Sequence, residues 1–144
     1  MTYFYKGTVC SDLYTIKKFI DKTIKNLEVY IDDGDVMFDV KLILNELIVN
    51  GALHGNDSMM TKCVSLTLEM IDDKLRIEVE DEGKGIDYDF CSYDPKDLKT
   101  CGRGLVLVNG LSDEFHVENN KVISVKHLAR WVPFMHNKQT ILLS

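Results

Sequence analysis

Apolar residues arranged in the order strand, helix, helix, hairpin, helix, hairpin predict an α+β fold, a two-layer α/β sandwich whose mostly antiparallel sheet carries its helices on one face. Three observations lead to it. Leu13, Ile16, Phe19, Ile20, Thr23, Ile24 and Leu27 recur at helical spacing. A second run, from about Val36 to Leu53, is so rich in Met, Phe, Val, Leu and Ile that it reads as one largely buried helix. Two pairs of alternating segments, each joined by a short polar turn, read as hairpins.

The elements follow in order. Tyr3, Tyr5 and Val9 alternate as in an edge strand, and Ser11-Asp12 offers a helix cap before the first helix. After the buried helix, Val64, Leu66, Leu68 and Met70 alternate, Asp72-Asp73 turns the chain, and Leu75, Ile77 and Val79 alternate back to deliver Asp81. Residues 87–100 hold Pro95 and mixed charge without periodicity, so they read as a loop. Arg103 to Leu111 reads as a helix. Phe115 and Val117, then Val122 to Leu128, form the second hairpin around Asn119-Asn120.

A chain of 144 residues, 45% hydrophobic, can bury one good core and is too short for two. Its net charge of −6 argues against nucleic acid as a partner, because no basic stripe offsets phosphate repulsion. No stretch approaches the roughly 18 apolar residues of a membrane helix, and no signal core opens the chain, so a soluble cytoplasmic protein is expected. Cys10, Cys63, Cys91 and Cys101 show no C-x-x-C spacing and no companion histidines, which points away from zinc and towards reduced thiols. Cys91 and Cys101 share the loop and either meet or stay unpaired.

The most telling segment is Asn45-Glu46-Leu47-Ile48-Val49-Asn50-Gly51-Ala52-Leu53-His54, which places Glu46, Asn50 and His54 in an otherwise apolar run. Steps of four advance only about 40° around a helix, so the three lie near one face. A buried carboxylate or amide is costly unless hydrogen-bonded or bound to a ligand, and a polar stripe on a buried helix therefore suggests a site. The alternative is that Glu46 and Asn50 cap loops or pair with Lys41 or Lys62. Downstream, Asp81-Glu82-Gly83-Lys84-Gly85-Ile86 ends a strand, and Gly102-Arg103-Gly104-Leu105 opens a helix. Alone, the first is a plain turn and the second ordinary loop-to-helix chemistry.

Together and in this order, E-x-x-x-N, D-x-G-x-G and G-x-G-L resemble the GHKL (histidine kinase-like) ATPase superfamily, over roughly residues 8 to 128. Gly102-Arg103-Gly104-Leu105 followed by Leu111-Ser112-Asp113-Glu114 is most similar to the anti-sigma factor and switch-protein serine kinase branch. The resemblance implies the Bergerat-type ATP-binding fold over residues 1–128, with 129–144 as a C-terminal extension. It implies ATP and Mg²⁺ as cofactors, and an anti-sigma antagonist protein, with a sigma factor, as partners. It also implies that Asn50 binds the metal through its amide oxygen, that Glu46 acts on the attacking hydroxyl as catalytic base, and that Asp81 accepts from the adenine amine. Gly83, Gly85 and Ile86 would flank the base, and Gly102, Arg103 and Gly104 would hold phosphate oxygens at the helix N-terminus. Residues 87–101 would be a short ATP lid. His54 stands either near the triphosphate or simply at a favourable helix end.

Two departures stand out. Val106 replaces a further family glycine, and residues 120–124 lack the Gly-Thr whose hydroxyl supports the aspartate, leaving Ser124 as a substitute or as a residue turned away. In the extension, Trp131, Phe134 and Met135 either cover the sheet or form a surface for a partner or for a homodimer. The expected function is an ATP- and Mg²⁺-dependent serine/threonine protein kinase of the anti-sigma type, phosphorylating a small antagonist protein. The alternatives are a binding module that uses nucleotide only to set its shape, and a detached histidine-kinase catalytic domain, disfavoured because nothing in the sequence resembles a phosphoacceptor-histidine dimerisation helix.

Overall fold

The computed structural model describes residues 2–56, 59, 61–83 and 103–128. Five strands and three α-helices follow one another as β1 (Thr2–Cys10), α1 (Leu13–Leu27), α2 (Gly34–Asn50), β2 (Cys63–Ile71), β3 (Lys74–Glu80), α3 (Arg103–Leu111), β4 (Glu114–Glu118) and β5 (Lys121–His127). The sheet order is β1-β2-β3-β5-β4 and every neighbouring pair is antiparallel. Thus β1 is an edge strand, as its alternation predicts. The second hairpin enters through its second strand, so β5 lies beside β3 and β4 takes the far edge.

Period-2 patterning sets the two faces. Val64, Leu66, Leu68 and Met70 of β2, Leu75, Ile77 and Val79 of β3, and Val122 of β5 all join one core with the helices. The opposite face carries Arg76, Glu78 and Lys121, with Arg76 Nη2 at 3.0 Å from Glu78 Oε1 and Lys121 Nζ at 3.6 Å from Glu78 Oε2. Both hairpins turn through left-handed residues, Asp72 at φ 56° and Asn119 at φ 54°. Short polar side chains tolerate that conformation best after glycine.

The helices begin where their caps dictate. Asp12 Oδ2 accepts from Thr15 N at 3.0 Å, and α1 then buries Ile16, Ile20, Thr23, Ile24 and Leu27. Leu13, expected on that buried face, is instead 54% exposed in the first turn. Asp33 Oδ1 accepts from Asp35 N and Val36 N at 2.9 and 3.2 Å, and α2 buries Val36, Val40, Ile43, Leu44, Leu47 and Ile48. Lys126 of β5 staples the layers together, its Nζ donating to Asp39 Oδ2 at 3.0 Å and to the Leu111 carbonyl at 2.8 Å. A cation there also suits the C-terminal end of α3.

The expected single helix from Val36 to Leu53 differs in its last turn. The α-helix starts at Gly34 and stops at Asn50, and Gly51–Gly55 continues as one π-helical turn closed by Asn56 N donating to Gly51 O at 2.8 Å. Tertiary contacts account for the wider turn. Asn56, at the end of that turn, is held from three directions by Ser11, the Cys63 carbonyl and Glu82 N, while Gly51 lies in ordinary van der Waals contact with Asp81 and Val64. Such turns inside helices often occur at functional sites. Among the described residues no helix is long and apolar enough to cross a membrane. The expectations for residues 87–101 and for the extension 129–144 lie outside the described residues.

Candidate functional site

One end of the sheet gathers the polar residues that the sequence singles out. Glu46 and Asn50 sit half-buried on α2, one turn apart. Among the described residues neither Lys41 nor Lys62 forms an ion pair with Glu46. The Glu46 carboxylate instead lies against the first turn of α3, so near that a β-carbon placed on Gly104 would stand 2.5 Å from Glu46 Oε1. At Gly104 of the G-x-G-L motif, then, any side chain would have to displace the carboxylate of the first motif.

Asp81 leaves β3 into the buried space behind Gly51 and is only 6% exposed. Its backbone is clamped by Asn120, whose carbonyl accepts from Asp81 N at 3.0 Å and whose Nδ2 donates to the Asp81 carbonyl. Its Oδ1 accepts from Gly83 N at 2.7 Å, which shapes the turn that follows. Burial raises its pKa above the usual carboxylate value, with a further rise from Glu80, against the lowering effect of the Gly83 bond and of Lys62. A largely buried carboxylate with a raised pKa is the kind of group that functional sites hold.

Asn56 was not singled out by sequence reasoning, yet it frames this end of the molecule. It is fully buried, and its Nδ2 donates to Ser11 Oγ at 3.0 Å and to the Cys63 carbonyl at 2.9 Å, while its Oδ1 accepts from Glu82 N at 2.7 Å. One amide thus ties the β1–α1 junction, the start of β2 and the segment after Asp81 to the end of the α2 run. In the sequence Gly55-Asn56 looks like an ordinary helix end, and no local signal separates the two roles. Asn120 likewise reads only as a turn residue.

Ser124 resolves one open alternative. It is fully buried and faces the core, so alternation does not turn it away, but its hydroxyl lies 2.5 Å from Ser112 Oγ, which itself donates to the Val108 carbonyl at 2.6 Å. The strand register pairs Val79 with Val122, so the inward position of β5 nearer to Asp81 carries an apolar side chain. Gly85, Ile86 and Gly102, and the side chains of Arg103 and His54, lie outside the described residues. Arg103 begins α3 as expected. An open groove of about 570 Å³ between α1 and α2, lined by Leu13, Ile16, Phe38, Lys41 and Asn45 among others, does not include Glu46, Asn50, Asp81 or Gly104.

Comparison with known proteins follows the same residues. The sequence model of the histidine kinase-like ATPase domain matches residues 15–126. An anti-sigma F factor of Clostridium botulinum (strain Eklund 17B / Type B) is 28% identical over 92 residues, covering 60% of this chain and 64% of the relative. The serine-protein kinase RsbW of Bacillus subtilis (strain 168) is 29% identical over 100 residues, covering 63% and 62%. RsbW of Staphylococcus aureus (strain MSSA476) is 25% identical over 101 residues, covering 63% and 64%. The chain thus spans a little under two thirds of the length of these relatives.

Proposed function

Since the chain belongs to the histidine kinase-like ATPase family, we propose that it binds ATP with Mg²⁺ and transfers the γ-phosphoryl group to a serine of a small anti-sigma antagonist protein. Relatives named as an anti-sigma factor and as serine-protein kinases support that choice of branch. The single observation that carries the reading is the meeting of Glu46 with Gly104. It sets a carboxylate at the N-terminal turn of α3, where helix N–H groups suit phosphate oxygens.

The residues divide the work. Asp81, held in its backbone by Asn120 and in its side chain by Gly83, accepts from the exocyclic amine of adenine and so selects it over guanine. Asn50 offers one amide oxygen, a donor suited to a hard cation that keeps water and substrate oxygens in the rest of its shell. When bound, Mg²⁺ neutralises charge on the phosphates. Gly104 and Arg103 present the start of α3 to the phosphate chain. Glu46 takes the proton of the serine hydroxyl as its oxygen bonds to the γ-phosphorus, the bond to the β-phosphate oxygen breaks, and ADP leaves.

A second reading, a nucleotide-set binding module with negligible transfer, is favoured by one observation: the Ser124 hydroxyl is spent on Ser112 rather than on Asp81. Glu46→Gln separates the two. In the kinase, ATP affinity stays within a few-fold while phosphate incorporation from labelled ATP into the antagonist falls by about 10²-fold or more. Tight ATP binding by wild-type protein with no transfer to any antagonist of the same genome would leave the binding module standing. For the nucleotide site itself, Asn50→Ala should weaken ATP·Mg²⁺ while sparing metal-free adenosine, and Asp81→Asn should weaken both in calorimetry.

A further inference from the structure

Two of the four cysteines, 53 positions apart in sequence, are brought face to face by the sheet. Cys10 ends β1, Cys63 begins β2, and the antiparallel register makes them direct partners. Directly opposed residues project from the same face, here the face away from the core, since Val9 and Val64 beside them are buried. Both thiols are free, Cys10 exposed and Cys63 half-buried.

The backbone hydrogen bonds identify the kind of pair. Ser11 N donates to Lys62 O at 3.3 Å, which makes the next pair out the hydrogen-bonded one. The Cys63 N–H goes to Glu82 Oε2 at 2.5 Å, its carbonyl accepts from Asn56, and the Cys10 carbonyl accepts from Asp12 N at 2.8 Å. Cys10 and Cys63 therefore form a non-hydrogen-bonded pair, the narrow kind, with α-carbons about 4.5 Å apart. That falls inside the span of about 4.4 to 6.8 Å that a disulfide bridges.

We propose that Cys10 and Cys63 are a redox modification site, a dithiol that closes to an intramolecular cross-strand disulfide when it meets a low-molecular-weight disulfide. The exposed Cys10 thiolate attacks the small disulfide, forms a mixed disulfide and releases one small thiolate. The Cys63 thiolate then attacks the Cys10 sulfur and displaces the second small thiol. The protein loses two electrons and two protons, and the small disulfide is reduced to two thiols. The position gives the bond a consequence. Cys63 is the residue whose N–H and carbonyl are gripped by Glu82 and Asn56, next to Asp81, so closure fixes the frame of that turn to the β1 edge.

The test uses the full chain, reduced and then exposed to oxidised glutathione, quenched with an alkylating agent and digested for mass spectrometry. A Cys10–Cys63 linked peptide is expected, absent in Cys10→Ser and in Cys63→Ser. Cys10→Ser changes an exposed side chain, so its thermal melt should match that of the reduced wild type. The oxidised protein should melt several degrees higher and return to the starting value with dithiothreitol, because the bond closes a long loop in the unfolded chain. Free alkylated Cys10 and Cys63 after oxidation, a glutathione adduct that persists on Cys10, a link to Cys91, Cys101 or a second chain, or a lowered melting temperature would each overturn the proposal.

Discussion

Replacing Gly104 by alanine puts a methyl group where the structure places the Glu46 carboxylate. The added carbon would stand 2.5 Å from Glu46 Oε1, against the 3.4 Å at which ordinary van der Waals contact begins, a shortfall of about 0.9 Å. The obstacle is the far end of a flexible side chain, so the carboxylate yields and the helix does not. Stability should stay within about 1 kcal/mol of wild type, since alanine also favours helix over glycine by up to about that amount. With Glu46 as the base of the proposed phosphotransfer, catalysis has no such margin. Displacement of a positioned base by about 1 Å costs on the order of 10²-fold in rate, so the phosphotransfer kcat should fall by about that factor while the KM for ATP changes a few-fold at most. Gly110→Ala is the matched control, because nothing stands within 4 Å of its added carbon, and it should gain about 0.5–1 kcal/mol with unchanged transfer. The assay pairs initial rates across ATP concentrations with urea unfolding of both variants. Wild-type turnover in a stably folded Gly104→Ala protein would refute the argument that Glu46 acts from its place against α3.

Asp81 should make nucleotide binding pH-sensitive. Burial raises its pKa in the folded state, so Asp81 takes up its proton at a higher pH than an ordinary carboxylate does, and ATP affinity measured by calorimetry should decline as pH falls through that raised value, whereas Asp81→Asn should give a flat, weaker profile. For stability the sign is opposite to that of a salt-bridged acid: between the unfolded and the raised folded pKa the native state holds more protons, so this group favours the fold as pH falls and loses that contribution as pH rises through the folded value. A wild-type affinity independent of pH would exclude Asp81 from the base contact. Asn56→Ala strips the hydrogen bonds to Ser11, Cys63 and Glu82 from a fully buried position, and urea unfolding should show a loss of about 2–4 kcal/mol; a loss below about 1 kcal/mol would mean that the frame does not depend on this amide.

Periodicity, caps and turns were enough for the element list. The alternation of Val64 to Met70 and Leu75 to Val79 permits only a two-sided strand, Ser11-Asp12 marks the start of the first helix, and Arg103 to Leu111 is helical as its pattern requires, whereas the Asp33 cap that starts the second helix at Gly34 is evident only in the structure. The spacing of Glu46, Asn50, Asp81 and Gly104 likewise makes the ATPase family readable in the sequence itself, because three polar or glycine-rich motifs in one order are hard to obtain from structure-forming pressure alone. What the sequence could not determine is how parts distant in the chain meet. The Glu46–Gly104 contact joins residues 58 positions apart, Asn56 reaches Glu82 and Ser11, the Ser124 hydroxyl turns to Ser112, and Cys10 faces Cys63. None of these leaves a local trace, since an asparagine after a glycine, a serine in a strand and a cysteine at a strand end each satisfy local rules whichever partner they find. The π-helical turn after Asn50 has the same origin: propensity continues the α-helix to Leu53, whereas the wider turn ends at Asn56, whose place is fixed by hydrogen bonds to Ser11, Cys63 and Glu82 that no local pattern encodes.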